Sequence, residues 1–312
     1  MLRMLQTPRG NLRRFALWQR GRRKLAQLRM WHGKAFALAP MARDNLLAIG
    51  VERPLMTESD WNPERYARFR GLRLRPALDL LAQISALTEG PVIDLCCGNG
   101  AVAGALAEQF KGRALIGVDS SPAMLAEAEK TGAYAQLIEA DVTAWQPEAR
   151  PALIFSNAAL HWVEGHEVLM PRLAAMLDPG GVLAVQMPRQ WGAPSHRFIR
   201  DIAASLFSDR FADMPEAPVH SAVRYWELLS PLGSVMAWET EYVQRLDPQT
   251  EGHPVRAFTQ STALRPIFAK LNAKEQKAFL KAYDAALGAA YPLLADGAAL
   301  MPFRRVFFTL TM

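Results

Sequence analysis

The sequence is poor in cysteine: its 312 residues include two, adjacent at positions 96 and 97. Two neighbouring cysteines cannot form a disulfide framework, and a bond between them would strain the peptide that joins them. No further cysteines or histidines lie near them at the spacing of metal ligands, so we expect no metal site. The few thiols favour a reducing compartment, and we expect the protein in the cytoplasm.

Long apolar runs are also missing. No stretch of about 18 apolar residues is free of charge, so no membrane-spanning segment is predicted. The G-x-x-x-x-G-K-[ST] sequence of a P-loop is absent. So is the G-x-G-x-x-G of dinucleotide-binding folds, because Gly98 and Gly100 are followed by Gly104 rather than by a glycine at 103. With half of its residues apolar, the chain is long enough for one or two domains with a buried core.

Acidic residues are scarce at the beginning of the chain. Residues 1–55 contain twelve Lys or Arg and two acids, a net charge of +10, and because the whole chain carries +6 the remainder carries −4. This basic leader has three interpretations: an organelle transit peptide, a basic arm for nucleic acid or an anionic membrane, or sequence upstream of the true start at Met56. We therefore predict a leader over 1–55 that is disordered or not native, followed by one domain over 56–312.

Strands and helices alternate over the first half of that domain. Helical periodicity covers 62–86, with interruptions near Gly71 and Pro76, and short apolar segments separated by helical ones follow. The five predicted strands are 91–96, 114–121, 133–142, 151–162 and 181–188. Such alternation is typical of βαβ units in a parallel sheet, so the fold class is α/β.

The last third of the chain follows a different rhythm. Helical patterns cover 195–207, 221–232 and 274–294, and strand patterns cover 235–246 and 303–311. Residues 189–300 are therefore predicted to supply a helical cap over the sheet.

The ends of the predicted strands carry the residues of a nucleotide site. In an open parallel sheet, ligands bind beyond the carboxyl ends of the strands. The first strand ends in DLCCGNG, whose glycines let the backbone approach a ligand and whose following helix offers unpaired N–H groups. The second ends in Asp119, 21 positions after Gly98, where an acid can accept both hydroxyls of a ribose. The third ends near Asp141, which can accept a hydrogen bond from an adenine amino group.

Together these segments resemble the trans-aconitate 2-methyltransferase family of class I S-adenosylmethionine-dependent methyltransferases. The resemblance extends from about Asp60 to the C-terminus and includes DWNPERYARF, VIDLCCGNG, SNAALHWVEGH, APSHRFIRDIA, TALRPIF and AAYPLLADGAALMPFRRVFF. It implies a Rossmann-like fold with a mostly parallel seven-stranded sheet and a helical cap. It also implies S-adenosylmethionine as cofactor and methyl-ester formation on a carboxylate of trans-aconitate or a similar small polycarboxylate. The implied cofactor residues are Asp94, Gly98, Gly100, Asp119, Ser120, Asp141, Val142 and Asn157. Cys96 departs from the family pattern, which has glycine there.

The acceptor side is expected to hold cations rather than a catalytic triad. A carboxylate is deprotonated at neutral pH and needs no general base, so positioning and removal of water would provide the catalysis. Arginine suits a substrate with several carboxylates, because its planar guanidinium makes paired hydrogen bonds. Arg304 and Arg305 adjoin a strand with alternating faces, so at most one of them enters the site. The expected positioning residues are His161 and Trp162, and the substrate-binding candidates are Arg265, Arg304, Arg305, His196, Tyr225 and Trp61.

Two other functions stay open. A related carboxyl methyltransferase would act on another acid, such as a malonyl group on an acyl carrier, and the cap over 189–300 would set that choice. A nucleic-acid methyltransferase would use the basic leader as an arm, but the rest of the chain is acidic and lacks the N-P-P-[YF] motif of enzymes that act on flipped bases. The expected partners are therefore a small polycarboxylate and no nucleic acid, metal or membrane, with the chain acting as a monomer.

Overall fold

The computed structural model describes residues 70–212 and 219–312, without the side chains of residues 70–73. The predictions for the basic leader over 1–55 and for Trp61 lie outside these residues. In the described part of the chain, no helix is long and apolar enough to cross a membrane.

The described strands form one sheet of seven. They are β1 (Val92–Leu95), β2 (Leu115–Asp119), β3 (Gln136–Glu139), β4 (Leu153–Asn157), β5 (Val182–Pro188), β6 (Ser234–Leu246) and β7 (Ala299–Thr311). Their order across the sheet is β3-β2-β1-β4-β5-β7-β6. The first five strands pair in parallel, whereas β7 is antiparallel to both β5 and β6. The predicted α/β fold with a mostly parallel seven-stranded sheet is confirmed, and the strand order reverses between β1 and β4, where such sheets bind ligands.

Helices connect and cover these strands. They are α1 (Arg70–Leu81), α2 (Ala103–Gln109), α3 (Pro122–Glu129), α4 (His166–Ala175), α5 (Pro194–Leu206), α6 (Ser208–Phe211), α7 (Ala222–Leu229), α8 (Pro254–Gln260), α9 (Arg265–Phe268) and α10 (Ala273–Ala290), with a 3-10 turn at Leu160–Trp162. The sequence did not predict α6, α8 and α9, because helices of four to seven residues contain too few turns to establish a period.

The sheet has a separate apolar core on each face. On one face, α4 and α7 cover the sheet, α4 over β5 and α7 over β6 and β7, and their Leu173 and Leu229 belong to one apolar cluster with Ile154 of β4. On the other face, α1 and α2 contribute Leu80 and Leu106 to a second apolar cluster, which also contains Phe155 of β4. Because neighbouring strand residues point to opposite faces, the nearly unbroken apolar runs of β1, β4 and β5 reflect a sheet that is covered on both sides.

A third core lies beyond the ends of the parallel strands. The antiparallel pairing of β5 and β7 ends at Pro188 opposite Arg305, while β6 and β7 continue to pair as far as Leu246 opposite Ala299. Helices α5, α8, α9 and α10 pack around this extension in one apolar cluster. The helical cap therefore lies at the carboxyl edge of β5, where the ligand site is expected.

Three sequence-based boundaries are corrected by the structure. Helix α1 continues through Pro76 instead of breaking near it, because one missing backbone hydrogen bond is offset by burial of Ala77, Leu80 and Leu81 against the sheet. The third strand is limited to Gln136–Glu139, the four residues that pair with β2.

The fourth strand is also shorter than predicted, since it ends at Asn157. Ala158 adopts a left-handed conformation with φ of 54°. This conformation turns the chain out of the sheet and into the 3-10 turn, which carries His161 away from the strand direction.

Candidate functional site

The turn after β1 is built from three residues in the left-handed region. Cys96, Gly98 and Gly100 have φ of 58°, 56° and 74°. A side chain at Gly100 would approach Thr131 Cγ2 to 3.0 Å, so this glycine permits close packing against the segment after α3. A Cβ at Gly98 would have no atom within 4 Å and would extend into open space. The backbone at Gly98 therefore faces a space that a ligand can fill.

Asp119 anchors this turn to the end of β2. Its Oδ2 accepts a hydrogen bond from the Gly98 N–H at 2.8 Å, and its Oδ1 accepts one from the Ser121 N–H at 3.0 Å. Ser121 in turn caps α3 by accepting from the Met124 N–H, and Ser120 lies exposed between the two anchored residues. The carboxylate is thereby fixed at the mouth of the β1 turn.

Asp94 lies deeper, within β1, and is 3% exposed. Its Oδ2 accepts a hydrogen bond from the Tyr134 hydroxyl at 2.7 Å. Burial raises the pKa of Asp94 from 3.8 to about 6, the nearby charge of Asp119 adds to the rise, and the Tyr134 hydrogen bond opposes it. A positively charged ligand group next to this carboxylate would stabilise its ionised form.

The third and fourth strands complete this edge. The Asp141 Oδ1 accepts hydrogen bonds from the Thr143 N–H at 2.7 Å and from its hydroxyl at 2.6 Å, which fixes the turn after β3. Val142 is buried beside it. Asn157 is the last residue of β4, and its Oδ1 is buried without a hydrogen-bond partner among the described residues. The eight residues predicted to hold a nucleotide therefore lie in or directly after the first four strands.

His161 and Trp162, the predicted positioning residues, lie in the 3-10 turn after β4. Trp162 is 56% exposed, and its ring lies 4.7 Å from that of His161. The Nδ1 of His161 is buried and has no hydrogen-bond partner in the part of the chain that the structure describes. Burial, followed by the positive charge of Arg305 and the interaction with His196, lowers the pKa of His161 from 6.5 to about 3. The imidazole is therefore neutral at physiological pH, with a nitrogen available to a ligand.

Arg305 and Arg304 point to opposite faces of β7, as the alternation predicted. Arg305 is 2% exposed, donates from Nη1 to Gln186 Oε1 at 3.2 Å, and lies close enough to His161 to affect its pKa. The Arg304 side chain is about half exposed and pairs with Glu241 at 3.8 Å. The prediction that Arg304 binds the substrate is thus corrected, because the pleat of β7 turns it away from the His161 side.

His196 is carried by the first turn of α5, within the cap. Its Nδ1 lies 3.0 Å from Ser195 Oγ. The backbone of Ser195 is held on both sides: its N–H donates to the Tyr291 hydroxyl at 3.1 Å, and its carbonyl accepts from the Tyr283 hydroxyl at 2.6 Å. Burial, with a smaller contribution from Arg200, lowers the pKa of His196 to about 4. The structure thus brings His161, His196 and Arg305 together from three distant parts of the chain.

The remaining candidates lie elsewhere. Tyr225 is fully buried in the sheet core, with its ring 4.7 Å from that of Phe308 and its hydroxyl 2.6 Å from His166 Nδ1. The prediction that Tyr225 contacts the substrate is therefore corrected, because its helix packs on the face of the sheet. Arg265 is the first residue of α9 and is partly buried among the cap helices, and its contact with a substrate stays a prediction.

Comparison with known proteins places this geometry in a family. The family model described as a methyltransferase domain matches residues 92–181. A trans-aconitate 2-methyltransferase of Paracidovorax citrulli is 40% identical over 254 residues, covering 80% of this chain and 96% of the relative. The enzyme of the same name from Escherichia coli O139:H28 is 38% identical over 250 residues, with 80% and 97% coverage.

The chain belongs to the trans-aconitate 2-methyltransferase family. It is an S-adenosylmethionine-dependent methyltransferase, as the sequence resemblance implied. The crystal structure of the YcgJ protein from Bacillus subtilis is similar in fold, with 13% identity and a TM-score of 0.51 over 76% of this chain and 98% of that one.

The residues of this methyltransferase fit S-adenosylmethionine. The open space over Gly98 admits a ligand beside the backbone, and the fixed carboxylate of Asp119 is suited to a ribose. The buried Asp94 suits a cofactor that carries positive charge. In the described residues, no group of three or more His, Cys, Asp or Glu side chains could hold a metal ion.

Three residues that hydrogen bond to predicted site residues were not found from the sequence. Gln186, which hydrogen bonds to Arg305, could have been recognised from the sequence, because it is the polar residue in the apolar run VLAVQMP of β5. No sequence pattern indicated Tyr134 or His166, since their partners Asp94 and Tyr225 are 40 and 59 positions away along the chain.

Proposed function

We propose that this protein transfers the methyl group of S-adenosylmethionine to a carboxylate of trans-aconitate, forming a monomethyl ester. The observation that carries this proposal is the buried Arg305 beside His161, at the edge of the sheet where the cofactor residues lie. The names of the relatives from Paracidovorax citrulli and Escherichia coli support the choice of acid.

This methyl transfer requires the substrate to be positioned and requires no proton transfer. Bound S-adenosylmethionine supplies a methyl group on a positively charged sulfur, which a carboxylate oxygen can take directly while the sulfur keeps the bonding electron pair and no proton moves. Neither His161 nor His196 needs to act as a base, and their lowered pKa values keep both rings neutral at physiological pH. A neutral imidazole N–H can still donate to a carboxylate. The two rings are thus suited to orienting the acid.

Arg305 is the positively charged residue beside His161 and His196. A guanidinium that is 2% exposed interacts with a carboxylate far more strongly than a surface arginine, because little water screens the charges. Its bond to the Gln186 side chain fixes one edge of the guanidinium. A charge-assisted hydrogen bond contributes about 1.5–3 kcal/mol, which corresponds to roughly 10- to 100-fold in binding of the acid.

The test is a transfer assay with S-adenosylmethionine labelled on the methyl group. The acceptors are trans-aconitate, its cis isomer, citrate, an acyl-carrier-bound malonyl group and RNA, each at equal concentration. We expect base-labile label on trans-aconitate first, since esters are cleaved by base and methylated bases are not. Tight cofactor binding without transfer to any carboxylate would refute the proposal, and label on the malonyl group or RNA alone would favour one of the alternative functions.

We further propose that the protein acts as a monomer in the cytoplasm. The support for the compartment is the small number of cysteines, because proteins of oxidising compartments more often carry disulfide frameworks. Light scattering on the purified protein tests the first part, and fractionation of the source cells tests the second.

A further inference from the structure

A hydrogen-bonded chain runs through the core directly beneath the acceptor side of the site. The ring of His166, the first residue of α4, lies between Tyr225 of α7 and the backbone of the Leu160–Trp162 turn. Its Nδ1 is 2.6 Å from the Tyr225 hydroxyl, and its Nε2 is 3.0 Å from the Leu160 carbonyl oxygen. His166 is 1% exposed and Tyr225 is fully buried. Both residues are shielded from solvent almost completely, so the contacts are part of the core.

The partners fix the direction of every hydrogen bond. A carbonyl oxygen only accepts, so His166 Nε2 carries the hydrogen and donates to Leu160. Burial lowers the pKa of His166, so the ring is neutral and its Nδ1 has a lone pair that accepts from the Tyr225 hydroxyl. The Tyr225 oxygen in turn accepts from the His220 backbone N–H at 3.3 Å. All three bonds therefore point the same way, an arrangement in which each bond polarises the next.

This chain ends at the carbonyl group immediately before His161. The same Leu160 oxygen also accepts the Val163 N–H at 3.0 Å, and the Trp162 N–H binds the Ala159 oxygen at 3.1 Å. The turn begins at Ala158, which is held in a left-handed conformation with φ of 54°. Such a conformation costs free energy in a residue other than glycine and persists where the surroundings hold it. The hydrogen bond from the His166 side chain is one of the contacts that restrain this turn.

We infer that His166 and Tyr225 are positioning residues that fix the Leu160–Trp162 turn and thereby set where His161 and Trp162 meet the acid. The inference rests on the proposed function for its effect on turnover. Methyl transfer needs close alignment of the reacting atoms, and a misplacement of about 1 Å can cost about 100-fold in rate. Loosening the turn is therefore expected to lower kcat more than it weakens binding of S-adenosylmethionine, because seven of the eight predicted cofactor residues lie in or directly after β1, β2 and β3.

The test compares Tyr225→Phe with Tyr242→Phe. Each variant loses one phenol hydroxyl that donates a hydrogen bond of 2.6 Å, to His166 in the first case and to Asp79 of α1 in the second. Hydrogen exchange of a peptide covering residues 157–165 reports on the turn without any acceptor. We expect exchange about tenfold faster than wild type in Tyr225→Phe and unchanged in Tyr242→Phe, with urea unfolding measured for both so that global stability is taken into account.

Turnover provides the second readout. With trans-aconitate, Tyr225→Phe is expected to reduce kcat about tenfold and to leave the Kd of S-adenosylmethionine within twofold, whereas Tyr242→Phe changes neither. His166→Gln, which keeps a donor for Leu160, is expected to retain more activity than His166→Leu. Exchange in Tyr225→Phe that matches the Tyr242→Phe control would overturn the inference, and so would an unchanged kcat in Tyr225→Phe on a carboxylate that wild type methylates. If wild type methylates no carboxylate, the proposed function fails, and the exchange experiment alone decides the role of His166 and Tyr225.

Discussion

Replacing Asp94 by asparagine should stabilise the ligand-free protein while weakening cofactor binding. The folded protein holds this carboxylate almost fully buried, with a hydrogen bond from Tyr134, and its pKa is raised from 3.8 to about 6. Asparagine has nearly the same shape, and its oxygen can accept the same bond from the tyrosine. The substitution therefore removes the charge and little else.

The size of the effect follows from the pKa. A rise of about two pKa units corresponds to roughly 3 kcal/mol, which the folded state loses when Asp94 ionises. The unfolded chain releases this proton near pH 3.8 and the folded chain near pH 6, so the cost is absent below pH 3.8, grows as the pH rises and is complete above about pH 6. About half of it, ~1.5 kcal/mol, develops between pH 5 and pH 8.

The assay is urea unfolding of wild type and Asp94→Asn at pH 5 and pH 8, without S-adenosylmethionine. We expect the variant to gain ~1.5 kcal/mol relative to wild type between the two pH values. Comparing two pH values cancels any packing difference introduced by asparagine, because that difference does not titrate. A stability difference that stays constant between pH 5 and pH 8 would show that burial does not disfavour the charge.

Cofactor affinity should change in the opposite sense. Loss of the carboxylate is expected to raise the Kd of S-adenosylmethionine at least tenfold at pH 8, as measured by calorimetry, since a charge-assisted bond contributes about 1.5–3 kcal/mol. A more stable variant that binds the cofactor as well as wild type would mean that Asp94 serves the fold and not the cofactor.

Four further substitutions, one of them a control, test the two sides of the site. Arg305→Gln should raise the KM for trans-aconitate about 10- to 100-fold with little change in the Kd of S-adenosylmethionine. The control Arg304→Gln, on the other face of the same strand, should change the KM less than twofold. Equal effects of the two substitutions on the KM would remove Arg305 from the site. Asp119→Ala, which removes the acceptor of the Gly98 N–H, should weaken cofactor binding at least tenfold by calorimetry, and unchanged affinity would contradict its assignment. Cys96→Gly should raise the free energy of unfolding by about 0.5–1 kcal/mol. Glycine relieves the strain of a φ of 58°, which costs other residues about 1–2 kcal/mol, but it also increases the entropy of the unfolded chain, which offsets part of this gain. Cofactor affinity should change little in this variant, and a change above about tenfold would be inconsistent with a small side chain at the edge of the site.

The position of the predicted cofactor residues at one edge of the sheet could be derived from the sequence, because each of these residues belongs to a local pattern. Asp94, Asp119 and Asp141 each lie in or next to a short apolar strand. Parallel strands connected by helices bring their carboxyl ends to one edge of the sheet, so the topology places these carboxylates together without further information.

The acceptor side could be predicted only in part. The alternation of β7 showed that Arg304 and Arg305 point to different faces, but both faces of that strand read as candidates until β5 and β6 paired with it. Tyr225 illustrates the opposite error, because a tyrosine in an amphipathic helix can face a ligand or the core. Because α7 packs on the sheet, the Tyr225 side chain lies in the core.

Periodicity and turn chemistry depend on neighbouring residues, so the sequence alone predicts the α/β class, the run of parallel strands and the edge of the sheet where the cofactor is expected. Long-range packing, in contrast, brings Arg305 rather than Arg304 beside His161, and it places Tyr225 in the core with its hydroxyl hydrogen bonded to His166. These contacts join positions far apart along the chain: Arg305 and Gln186 are separated by 119 residues, and Tyr225 and His166 by 59. A periodic pattern shows that a face is covered, but which segment covers it depends on long-range packing.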